Sequence, residues 1–82
     1  MANAYKASKE EIIESYRKYY IKRMDKGLTD KDVSEKSQTA RGTFTAWKHG
    51  QALPSLKSLY KIANLVDAKV SDIIGEIPKM VV

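Results

Sequence analysis

The chain has 82 residues and a formal net charge of +5, from 15 lysines and arginines against 10 acids, with one histidine and no cysteine. That length supports one hydrophobic core and leaves little room for a closed catalytic pocket, and the missing cysteines exclude disulfides, thiolate metal sites and thiol nucleophiles. The apolar runs are too short to cross a bilayer and the opening MANAYKASKEE lacks a signal core, so the expected location is cytoplasmic.

The pattern reads as five helices in an all-α domain occupying residues 1–82. Ser8, followed three residues later by Glu11, has capping-box form and opens a segment in which Ile13, Tyr16, Tyr20 and Met24 recur at helical spacing. These four are the expected buried stripe, with Tyr19 and Ile21 falling off it, and the helix is expected to end near Gly27. Thr29 caps a second short helix to about residue 36, its first turn acidic where the helix dipole favours acids and Val33 its apolar anchor. A turn around Ser37, Gln38 and Thr39 leads to a third helix carrying Phe44 and Trp47 on one face, stopped by Gly50. Ser55, just after Pro54, caps a fourth, with Leu56, Leu59, Ile62, Ala63 and Val66 as its apolar stripe. Ser71 is expected to cap a last turn at Ile73 and Ile74, closed by Gly75 and Pro78, and residues 76–82 form an apolar tail.

Charge is distributed unevenly along these elements. Residues 36–66 contain Lys36, Arg41, Lys48, Lys57, Lys61 and His49 but no acid; elsewhere ten cations meet ten anions. The whole net charge therefore belongs to one segment, as a polyanion-binding face requires. Within it, two short helices joined by a three-residue turn describe a helix-turn-helix over about residues 29–49.

Gly27, Leu28, Thr29, Val33, Arg41, Thr43, Phe44, Trp47, Gly50, Pro54, Leu59, Ile62 and Ala63 fall, without a gap, on a recurring pattern. It runs G-L-[ST], L-A, G-V-S, [ST]-[IV]-S-x-W-E-x-G, then Pro and an I-A pair. On these residues the segment 27–74 resembles the Cro and phage-repressor (XRE) helix-turn-helix family. Ser34, Ser37, Gln38 and Thr39 stand where that family has Ala, Leu, Gly and Val, and Lys48 replaces its Glu. Gln38 would cost about 1 kcal/mol if its position needs positive φ, and Ser37 forgoes about 1.5–3 kcal/mol if it is internal. This edge of the motif is accordingly expected to be loosely packed, with Phe44 and Trp47 filling volume.

The resemblance implies a sequence-specific double-stranded DNA binder, a transcriptional regulator of repressor type from a phage or prokaryote. Its third helix would enter the major groove, and the second would cross the backbone. Arg41, Thr43, Thr45 and Ala46 are then the candidate base contacts, with Arg41 suited to bidentate recognition of guanine. Lys48, His49 and Gln51 would hold phosphates, as would Thr29 or the backbone N–H of Asp30 at the start of the second helix. The same resemblance implies a homodimer; its interface is expected in the fourth and fifth helices or the tail, because Ile73, Ile74, Ile77, Met80, Val81 and Val82 form an apolar C-terminus.

Other chemistries fit the residues less well. No phosphate-cradling glycine loop or nucleophile, base and acid set is present, so no enzyme activity, cofactor or metal is expected; His49 has no neighbouring ligand. Trp47 shares a face with Phe44 and reads as core, and the tyrosines read as packing rather than as base-stacking platforms. The rival reading is a helix-turn-helix whose surface binds a phage or host regulatory protein and modulates a repressor, motivated by the polar turn and the tyrosine-rich first helix.

Overall fold

A computed structural model describes residues 7–75 as five helices: α1 (Lys9–Asp25), α2 (Asp30–Ser37), α3 (Arg41–Lys48), α4 (Leu56–Leu65) and α5 (Val70–Ile74). The local chemistry that starts each is visible. Ser8 Oγ accepts from Glu11 N–H at 3.1 Å while Ser8 N–H donates to Glu11 Oε1 at 2.9 Å, and Thr29 and Asp32 repeat this reciprocal cap at 3.1 and 3.0 Å. Ser55 Oγ accepts from Ser58 N–H to begin α4. The expected cap of α5 is displaced: Lys69, not Ser71, is the N-cap, because the Asp72 carboxylate reaches back to accept from Lys69 N–H at 3.0 Å. Pro78 and the apolar tail lie outside the described residues.

The helices enclose one core. α1 packs on α3 and α5, α2 packs on α3 and α4, and α4 packs on α5. Tyr19 and Trp47 stack at 4.8 Å between ring centroids, Tyr16 meets Trp47 edge-on at 5.4 Å, and Phe44 closes the aromatic group beside Tyr19. Val33, Leu59, Ile62 and Ile73 are fully buried around it. Offset and edge-on aromatic pairs of this kind contribute about 0.5–1.5 kcal/mol each beyond the area they bury.

The buried face of α1 is not the expected one. Ile13, Tyr20 and Met24 are 40, 43 and 55% exposed, whereas Ile12, Ser15, Tyr19 and Arg23 point inward, with Tyr16 half-buried at the edge. The cause is a polar lining whose hydrogen bonds are completed inside. Trp47 Nε1–H donates to Ser15 Oγ at 2.7 Å, and Ser15 Oγ–H donates to the Ile12 carbonyl at 2.7 Å, so a serine and an indole N–H are buried without an orphaned group.

The turn of the motif has the backbone that its family position demands: Gln38 lies at φ 58°, ψ 39°, in the left-handed region. Its packing departs from expectation. Ser34, Ser37 and Thr39 are buried and linked, with Ser34 Oγ–H donating to the Thr39 carbonyl at 2.6 Å and Ser37 Oγ–H to Thr39 Oγ1 at 2.9 Å. Hydrogen bonding replaces the apolar contacts of the usual residues, so this edge is closed rather than loose.

Candidate nucleic-acid interface

α3 presents two unlike sides. Phe44 and Trp47 anchor it in the core, which leaves Arg41, Gly42, Thr45, Lys48 and His49 exposed on the opposite side; Thr43 and Ala46 sit half-buried at the margins. Gln51 follows in the exposed loop, reached through Gly50 at φ +76°. Ala40, the N-cap of α3, supplies no side-chain cap. All five cations of the acid-free segment, Lys36, Arg41, Lys48, Lys57 and Lys61, are exposed, so the charge asymmetry of the sequence is a property of the surface.

The start of α2 is more occupied than the sequence suggested. The Thr29 amide is spent on Asp32, whose carboxyl is held below the usual carboxylate range by that N–H and by the Thr29 hydroxyl. Asp30, half-buried beside it, accepts from the Tyr19 hydroxyl at 2.7 Å through Oδ1 and from the Tyr16 hydroxyl at 3.0 Å through Oδ2. Arg23 Nε stands 3.3 Å from the same Oδ1 without the alignment of a hydrogen bond, and Arg23 Nη1 donates to the Leu28 carbonyl at 2.7 Å. Burial first, and then the bond to Asp30, raises Tyr16 to about 12 and shifts Tyr19 upward as well, so both hydroxyls remain donors at neutral pH.

This clasp of Tyr16, Tyr19, Arg23 and Asp30 was missed in the sequence. Its one visible sign is that Tyr16, Tyr19 and Arg23 share a helical face at spacings of three and four. Asp30 also borders α3: together with Arg41, Phe44 and Thr45 it lines a notch of about 70 Å³ between α2 and α3. On another side of the molecule, Leu56, Tyr60, Val70 and Ile74 line an open groove of about 410 Å³ between α4 and α5, where Tyr60 is 62% exposed. Among the described residues no helix is long and apolar enough to cross a membrane.

Two short helices at a tight left-handed turn, the second anchored by aromatics and cationic on its open side, define a helix-turn-helix DNA-binding domain. The family model of the Cro/C1-type HTH DNA-binding domain matches residues 22–79, and the chain belongs to that family. Two solved structures share the fold. The clp gene regulator ClgR from Corynebacterium glutamicum is 24% identical with a TM-score of 0.62, over 80% of this chain and 67% of that one. The restriction-modification controller protein C.AhdI from Aeromonas hydrophila is 20% identical with a TM-score of 0.69, over 78% of this chain and 97% of that one. Among curated proteins, no sequence matches the chain.

Proposed function

We propose that residues 1–82 act as one sequence-specific DNA-reading domain, a cytoplasmic transcriptional regulator of repressor type from a phage or prokaryote. The observation that carries this reading is the open side of α3, where Arg41, Thr45, Lys48 and His49 are all exposed while Phe44 and Trp47 fix the helix from behind. Arg41, Thr43, Thr45 and Ala46 read base edges in the major groove, Arg41 taking guanine O6 and N7. Lys48, His49 and Gln51 grip the phosphates that follow. The Asp30 backbone N–H and the Thr29 hydroxyl serve the other strand at the start of α2, setting register rather than sequence.

A reading head of this size covers few base pairs, so the protein acts as a homodimer on an inverted repeat with half-sites about one helical turn apart. The groove at Leu56, Tyr60, Val70 and Ile74 supports pairing through α4 and α5. In a random pool of duplex DNA at about 150 mM salt, the protein is expected to enrich a short inverted repeat, and Arg41→Ala to relax selection at one guanine, costing about 1–3 kcal/mol there. A second reading, a module that binds another regulatory protein, draws on the exposed Ile13, Tyr20, Ile21 and Met24 of α1. It takes precedence if the pool shows no enrichment and binding lacks the steep salt dependence of phosphate contacts.

A further inference from the structure

We propose that Tyr16, Tyr19 and Arg23 hold the Asp30 carboxylate away from Arg41, so that the clasp on α1 keeps the recognition helix free for DNA. The inference rests on the DNA-binding reading above and adds positioning residues to it. Asp30 lies on the rim of the notch that Arg41 and Thr45 also line. A carboxylate in that place has two competing sets of partners. One is the pair of tyrosine hydroxyls at 2.7 and 3.0 Å with the guanidinium of Arg23 at 3.3 Å; the other is the exposed guanidinium across the notch.

In the structure the first set has won. Both carboxylate oxygens are engaged by α1, and among the described residues the ion pairs are Arg23–Asp30 and Arg17–Glu14, neither involving Arg41. The engagement is built to persist. Tyr19 is fully buried and stacked on Trp47, and Arg23 is tied to the Leu28 carbonyl and lies over the Tyr20 ring at 4.9 Å, so these two partners are held in place by contacts other than Asp30. Hydrogen bonds to an ionised acceptor are the strong ones, and a carboxylate already saturated by them has little to gain from a solvated arginine. With the two hydroxyls gone, Asp30 would retain Arg23 on one oxygen and offer the other to Arg41, drawing it into an ion pair that duplex DNA must break.

The test is a double-mutant cycle on the full chain, with a fluorescent random-sequence duplex of about 24 base pairs as the probe, titrated at several salt concentrations. Tyr16→Phe/Tyr19→Phe keeps both rings and removes both donors. With Asp30 present it is expected to weaken binding about fivefold near 50 mM salt, the deficit shrinking as salt screens the ion pair. With Asp30→Asn in the background, the same tyrosine changes are expected to cost less than about twofold, because no charge remains to capture Arg41. A merely structural role of the hydroxyls would give the same loss in both backgrounds, and that result overturns the proposal. Circular dichroism confirms folding of each variant; if the double tyrosine variant is unfolded, Tyr16→Phe alone carries the cycle with the same criterion. A wild-type chain that fails to bind duplex at any salt overturns the DNA-binding reading itself, whereas wild-type binding with an additive cycle overturns only the clasp.

Discussion

Gly50 has two constraints on it at once. Its φ of +76° lies where L side chains are strained, and a Cβ there would stand 2.6 Å from Lys9 Cγ, 2.9 Å from Ile13 Cγ1 and 3.0 Å from the Lys9 carbonyl. The lysine methylene can move, but the carbonyl belongs to the first turn of α1 and cannot. Gly50→Ala is therefore expected to destabilise by about 2–4 kcal/mol, lowering the thermal midpoint by roughly 10–20 °C. Gln38 has the opposite balance. It adopts φ 58° with an exposed side chain whose one long contact is to Lys61 Nζ at 3.4 Å. Glycine there relieves about 1 kcal/mol of backbone strain and adds about 0.5–1 kcal/mol of unfolded-state entropy, so Gln38→Gly should leave the melting temperature unchanged or raise it by a few degrees.

At the scale of the elements, the clasp between α1 and α2 makes a pH signature. The tyrosines titrate near 10 in an unfolded chain, whereas folding raises Tyr16 to about 12 and Tyr19 upward with it, by burial first and the bonds to Asp30 second. Between those values the unfolded chain has lost protons that the native one retains. Their contribution to stability is thus complete below about pH 10 and is lost as pH rises through the folded values. Urea midpoints measured from about pH 9 to 12 should fall more steeply for the wild type than for Tyr16→Phe. The elements themselves were well marked in the sequence, since Thr29, Ser55 and the Gly50 stop put α2, α3 and α4 within a residue of where they lie. The inward face of α1 was not. Ser15 and Arg23 are polar residues off the apolar stripe, and the groups that complete them, Trp47 Nε1, the Leu28 carbonyl and Asp30, lie outside α1. For the same reason the exposed cationic side of α3 was legible and the clasp behind it was not: it joins residues 11 and 14 positions apart that no helical spacing connects.

For the whole molecule, the groove between α4 and α5 is the surface on which self-association would depend. Tyr60 is 62% exposed there, so a charge at that position costs the monomer little but would be buried in a dimer. Tyr60→Glu is expected to shift sedimentation to the monomer while leaving the far-ultraviolet spectrum and melting temperature nearly unchanged; unchanged sedimentation would move the interface elsewhere. Removing residues 76–82 should weaken association in the same assay if the apolar tail joins that surface. The placement of the single tryptophan supplies a further instrument. Trp47 is wholly shielded, stacked on Tyr19 and bonded through its N–H to Ser15, on the side of α3 turned away from the cationic face. Its emission will therefore be blue-shifted in the native chain and red-shifted on unfolding, yet nearly silent when a polyanion arrives. This unlabelled signal thus reports loss of structure alone and, set beside a binding titration, separates it from loss of binding in every variant named above.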